Sequence, residues 1–251
     1  MSLLPNVIFA IILFSGLGFF VRNVSKLKRN IYLGKEVDTS GNTKLRWCNM
    51  VKIALGQGKM IRRPIAGILH IVVYVGFVII NIEVLEIVID GLFGTHRIFS
   101  VIGPFYGVLI GTFEMLAALV FISVIVFWFR RNIVNVQRFM KSEMKGWPKL
   151  DGNLILYFEI VLMALFITMN ATDVEFQSSN SGNIISQFFA PMFEGTNVTL
   201  IERIAWWMHI VGILIFLNYL YYSKHLHILL AFPNTYYGSV KPKGQLDNLE
   251  A

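Results

Sequence analysis

The chain has 251 residues, of which 55% are hydrophobic, 14% aromatic and 15% charged, with a formal net charge of +7. This balance is too apolar for an ordinary soluble domain and points to the membrane class. No nucleic-acid motif accompanies the positive charge, and a single cysteine, Cys48, excludes a cluster-binding set or c-type haem attachment within this sequence.

A bilayer core of roughly 30 Å takes about 20 apolar residues per helix, and five windows approach that length. The first, Leu3 to Val21, ends at Arg22; without a basic leader or a small-residue cleavage motif, it reads as a retained helix. The second runs from Pro64 to about Ile89, with the proline in the first turn, where a missing N–H costs nothing. The third is Phe105 to Phe129, closed by Arg130 and Arg131, and the fourth is Leu154 to Met169. The fifth extends from about Ile201 through "AWWMHIVGILIFLNYLYYSKHLHILLAFP" to Pro233. The fold class expected is an all-α integral membrane protein, a bundle of five transmembrane helices.

The basic residues set the expected orientation, because Lys and Arg are retained on the cytoplasmic side. Eleven of the 22 lie between Arg22 and Arg63, six between Arg130 and Lys149, and Lys224, Lys241 and Lys243 near the C-terminus; the opposite loops hold only Arg97 and Arg203. The N-terminus is therefore expected outside, and both basic loops and the C-terminus in the cytoplasm. Trp47, Trp128 and Trp147 at one boundary and Trp206 and Trp207 at the other fit aromatic belts. Asn23 to Ile61 reads as a long basic loop, long enough to have a function of its own.

Histidine supplies the chemistry. If the fifth helix is continuous, the 18 residues from His209 to His227 make about five turns, so both side chains share a face about 27 Å apart; His225 falls about 160° away. Neutral imidazoles inside a helical bundle suit metal or haem iron. His70 lies seven residues beyond Arg63, roughly 10 Å along its helix, at a depth matching His227. A lone membrane histidine is also an ordinary packing or hydrogen-bonding residue, and that reading stays open.

The stretches "GKMIRRPIAGILHIVVYVGFVI" and "WWMHIVGILIFLNYLYYSKHLHILLAFPN" resemble the membrane cytochrome b subunit of respiratory nitrate reductase, its gamma subunit. They are closer still to the branch found in heterodisulfide-reductase-like iron–sulfur-binding proteins. The likeness covers residues 1–235 as one cytochrome b domain, with 236–251 as a linker or tail that leads to a missing or separate iron–sulfur domain. It implies haem b, one or two groups, between the second and fifth helices, and electron transfer between membrane quinone or menaquinone and a cytoplasmic ferredoxin-like or heterodisulfide-reductase-like partner. The chain is then the electron-transfer subunit of a quinone-linked oxidoreductase complex in a bacterial cytoplasmic (inner) membrane.

By that resemblance, His70 and His227 ligate one haem and His209 a second. The nitrate reductase pattern has a further histidine about ten residues along the second helix, where this sequence has Ile80, so His96 is the remaining candidate partner for His209. Arg62 and Arg63 are placed to pair with haem propionates. Glu83, Glu86, Glu114 and Glu159 lie in or near apolar spans, where an ionisable group by default suggests a proton or substrate path. Glu83 and Glu114, in the outer half, are the candidates for a quinol proton path. The competing function is a haem-free membrane anchor or an ion or proton transporter using the same His and Glu residues.

Overall fold

The computed structural model describes residues 3–240 except 37, 59, 61–63, 135 and 180, together with all of their side chains but that of Arg138. Arg62 and Arg63, the expected propionate partners, lie outside the described residues. Eight α-helices follow in order: α1 (Leu4–Ile31), α2 (Thr43–Met50), α3 (Pro64–Phe93), α4 (Phe105–Asn132), α5 (Trp147–Thr172), α6 (Val174–Ser178), α7 (Val198–Tyr219) and α8 (His227–Tyr236). No strand occurs among the described residues. Five helices are long and apolar enough to cross a membrane: α1, α3, α4, α5 and α7 with the turn that follows it.

Local signals explain the boundaries. Prolines open α1, α3 and α5 in their first turns, and the Asn197 side chain caps α7 by accepting from Leu200 N–H. Lys28 and Arg29 in the last turn of α1, and Arg130 and Arg131 in that of α4, lie where the helix dipole favours cations.

Helices α3, α4, α5 and α7 pack in sequence order, and α1 closes the bundle against both α3 and α7. The centre is filled by Ile110, Phe113, Ala117, Phe166 and Ile210, all essentially inaccessible. Outward-facing Leu4, Ile8, Ile11, Phe14, Val108 and Ile215 are exposed, as hydrocarbon contact allows. With lipid on the outside, close van der Waals packing rather than burial from water holds such helices together. One tight contact is at Gly91, whose carbonyl accepts from Asn6 Nδ2 at 2.9 Å and whose missing Cβ leaves room for the Phe9 ring.

Two expectations are corrected. The fifth helix does not continue to Pro233. It ends at Tyr219, tightens into 3-10 turns, extends at Ser223 (φ −106°, ψ 154°) and restarts as α8 at His227. The even phase of His209 and His227 therefore does not hold, because no single helix carries both. The break has a cause: buried Asp151 on α5 accepts from Tyr219 Oη at 2.6 Å and from Lys224 N–H at 3.2 Å, while Ser223 Oγ accepts from His225 N–H at 3.0 Å. Side chains thus satisfy the backbone where the helix stops.

Nor is the stretch from Asn23 to Ile61 a simple loop. α1 runs on to Ile31, and α2 passes into a π-helical turn, Val51–Leu55. α2 is tied to the chain beyond α8: Arg46 Nη1 donates to the carbonyls of Tyr236 (3.2 Å) and Gly238 (3.1 Å), and Trp47 meets Tyr236 edge-on at 5.3 Å.

A side chain at Gly91 tests the packing between α1 and α3. A Cβ there would come 2.5 Å from a Phe9 ring carbon, whereas one at Gly18 would meet nothing within 4 Å. Gly91→Val is expected to lower stability by about 1–3 kcal/mol in graded-detergent unfolding, with Gly18→Val unchanged.

Candidate functional site

The break after α7 decides where the histidines go. It turns the chain so that His225 and His227 meet, with ring centroids 5.3 Å apart, and His225 also lies against Phe216 at 5.9 Å. His70, in the second turn of α3, is close enough for its charge to interact with both. His70, His225 and His227 thus lie at the same, basic end of the bundle within electrostatic range of one another; for His225 the sequence suggests no ligand role. Burial, reinforced by neighbouring His227, pushes the His225 imidazole down to about 4, so it is neutral at pH 7.

The protonation of these rings follows from their partners. His227 Nδ1 lies 2.9 Å from the Lys224 carbonyl, and His209 Nδ1 lies 3.0 Å from the Leu162 carbonyl. A carbonyl only accepts, so each Nδ1 carries a hydrogen, and in the neutral ring this leaves the lone pair on Nε2, the arrangement used by metal-ligating histidines. His70 Nδ1 is buried without a hydrogen-bond partner. Among the described residues, no group of three His, Cys, Asp or Glu side chains is arranged to hold a bare metal ion. His70, with a buried ring nitrogen that has no partner, and the exposed His227, with Nδ1 turned to a carbonyl, are each imidazoles of the type that can ligate a haem iron.

His209 is a different case. It is 1% exposed and faces a central cavity of about 70 Å³, shared with Ile80 and Val84 of α3, Val120 of α4 and Glu159 of α5. That volume suits a few water molecules and is too small for a macrocycle. His96 is not in this cavity. It sits at the opposite end of the bundle from His70, with Nε2 3.2 Å from Asp173 Oδ2 and Nδ1 3.9 Å from Glu175. The structure does not bring His96 and His209 together: His96 lines the cleft at the far end, and His209 lines this cavity.

The end opposite the basic loops holds a cleft of about 570 Å³ between the start of α1, the end of α3 and the start of α7. Phe9, Trp206 and Trp207 form an aromatic wall, with Phe9 5.4 and 5.9 Å from the two indoles. Glu83, Glu86, Asp90, Asp173 and Glu202 supply carboxylates. Arg97 braces the floor from a left-handed backbone position (φ 51°). Its Nε donates to Asp173 at 2.8 Å, its Nη2 to Asn170 Oδ1 at 2.9 Å, and its guanidinium lies 4.1 Å over Phe176. Burial opposes its charge, yet Asp173 and Tyr106 hold its pKa above the ordinary arginine value.

The two glutamates proposed for proton transfer are placed differently. Glu114 is inaccessible and outside the cleft lining; it accepts from Asn170 Nδ2 (3.0 Å) and from the backbone N–H groups of Ile185 (2.8 Å) and Ser186 (3.0 Å). It fastens the loop after α6 to α4 and α5. Glu83 is 2% exposed, lines the cleft, and its Oε2 has no hydrogen-bond partner. Glu86, one turn further, accepts from Phe99 N–H at 2.8 Å and Tyr106 Oη at 3.0 Å.

Asp173, Arg97 and Asp151 were not singled out from the sequence. Asp173 had a readable signal, since "TDVEF" places an Asp where a helix N-cap belongs, and its Oδ1 accepts from Phe176 N–H at 3.0 Å. Arg97 stood out only as a rare base on the base-poor side.

No family model matches the chain, and no solved structure does. Two curated proteins are similar to it. A probable iron-sulfur-binding oxidoreductase, FadF, of Bacillus subtilis is 26% identical over 209 residues, which cover 81% of this chain and 28% of that protein. An EtfAB:quinone oxidoreductase of Syntrophomonas wolfei is 24% identical over 206 residues, 75% of this chain and 27% of that protein. The chain thus spans under a third of the length of the curated relatives it matches. These relatives support an oxidoreductase-related family rather than the nitrate reductase gamma subunit.

The contrast between the two glutamates is testable by stability. Glu114→Met strands three donors and is expected to cost about 3 kcal/mol, whereas Glu83→Met removes a buried carboxylate oxygen with no donor and is expected to be neutral or stabilising. Graded-detergent unfolding of the two variants checks the difference.

Proposed function

We propose that this chain is a haem b-bearing membrane module that passes electrons between a membrane quinone and an iron–sulfur redox partner. It is the electron-transfer part of a quinone-linked oxidoreductase in a bacterial cytoplasmic membrane. The N-terminus lies outside, and the basic end, with its histidines, faces the cytoplasm. The observation that supports the reading is the placing of His70 and His227 at one end of the bundle within electrostatic range, the first with a buried nitrogen that has no partner and the second with Nδ1 held by the Lys224 carbonyl.

The names of the relatives support the two ends of this path, one carrying iron–sulfur and the other quinone. Because this chain has one cysteine, the cluster belongs to a separate partner or domain of ferredoxin-like or heterodisulfide-reductase-like type. The cationic surface beside His70 and His227 is the face that receives it, with α2 and α8 as part of the platform. When bound, a haem supplies a one-electron relay inside the apolar bundle. His70 and His227 orient it, and the Lys224 carbonyl fixes the His227 tautomer. His209 and Glu159 border the water-sized cavity deeper in the bundle, and Glu83 handles protons on the quinone side while Glu114 keeps the outer loop in place.

A haem-free proton or ion transporter is the competing reading, favoured by that small polar-bordered cavity. Electron paramagnetic resonance separates the two. The purified chain is expected to give a low-spin haem signal that His70→Ala and His227→Ala each abolish and His225→Ala retains. A chain without that signal, or a signal indifferent to both substitutions, would overturn the assignment.

A further inference from the structure

We infer that the cleft at the end opposite the basic loops binds the headgroup of a para-quinol or quinone, that Glu83 exchanges the headgroup proton, and that His96 is the outlet to the outer surface. This rests on the quinone-linked reading above and adds the place and the residues. The cleft, at about 570 Å³, falls within the roughly 300–1,000 Å³ of small-molecule sites. Its two walls differ in the way such a headgroup requires: aromatic on the side of Phe9, Trp206 and Trp207, carboxylate-rich on the side of Glu83.

Glu83 is distinguished from its neighbours by what it lacks. Glu86 and Glu114 have their oxygens engaged by protein donors, and Asp173 is engaged by Arg97 and His96. Glu83 lines the cleft, and its Oε2, sealed from solvent, has none. A buried acceptor without a donor is costly, and a quinol hydroxyl supplies the missing one. Phe9 and Trp206 offer the flat apolar surface on which a ring stacks.

Oxidation of the quinol breaks two O–H bonds and forms two carbonyls, releasing two electrons and two protons. The electrons leave singly to a one-electron carrier of the haem b class, and onward to the iron–sulfur partner. The first proton goes to Glu83 Oε2 and leaves through the cleft; the second follows after Glu83 has released it. Reduction of a quinone runs the same steps backwards. At the mouth stands His96, its side chain 37% exposed and its Nε2 3.2 Å from Asp173. It faces Asp173 and Glu175, with Arg97, Glu202 and Arg203 on the surrounding walls. Arg97, a fixed cation committed to Asp173 and Asn170, positions this group and relays no proton.

The test uses the full chain in lipid nanodiscs, with 2-methyl-1,4-naphthoquinone as probe and tryptophan fluorescence as readout. Saturable quenching is expected, lost in the Trp206→Phe, Trp207→Phe double variant and weakened by less than about tenfold in Glu83→Gln. Turnover in the intact complex is expected to fall about a hundredfold in Glu83→Gln and His96→Ala, with added imidazole restoring His96→Ala alone. Absence of saturable quenching, quenching indifferent to the two tryptophans, or normal turnover in both variants would each overturn the inference. Quenching of the stated pattern in a chain without a haem signal upholds this site and removes the electron-transfer reading. A haem signal without saturable quenching does the reverse.

Discussion

Inside a lipid-embedded bundle a polar group has no water to turn to, so each buried carboxylate must find its donors within the protein. The irregular parts of this chain are organised around that constraint. Glu114 gathers the loop after α6 by accepting from Ile185 and Ser186. Asp151 holds the kinked end of α7 through Tyr219 and Lys224, and Asp173 anchors Arg97 and the first turn of α6. Each carboxylate fixes backbone that no helix would hold by itself. Glu83 has the same burial and leaves an oxygen without a donor.

The consequence is a bundle with chemically different ends. Asp151 holds the chain where α7 ends and α8 begins, and His225 and His227 meet there at the end of the bundle that also carries His70. At the other end, carboxylates and aromatic rings enclose a cleft that the short contact of α1 with α3 at Gly91 helps to shape. Electron carriers favour apolar interiors with neutral ligands, whereas proton exchange needs ionisable groups with access to water. On the proposed function, the separation of the two sets along one bundle would keep electron transfer and proton exchange at opposite ends.

Much of the architecture was legible because membrane helices announce themselves by length. Twenty apolar residues admit few alternatives, and prolines and arginines mark the ends. That His70 and His227 belong to the same, basic end was also readable, from their nearness to Arg63 and Lys224. The interruption of the fifth helix was not: Ser223 and Lys224 are brief polar marks in an apolar run, and the residue that breaks the helix, Asp151, lies 73 positions before Lys224. Angular counting assumed continuity and gave a shared face that the kink abolishes. The different fates of Glu83 and Glu114 were likewise out of reach, since both are single carboxylates in apolar sequence and only their donors distinguish them.

The central claim is that quinone chemistry at one end is connected electronically to the histidines at the other. Anaerobic addition of a naphthoquinol to the purified chain in nanodiscs, followed by stopped-flow visible absorption, measures that connection directly. The account predicts the appearance of a reduced b-type α band without any soluble partner, abolished when His70 is replaced by alanine. A chain produced with ample haem that shows no such band, before or after strong chemical reduction, would contradict it.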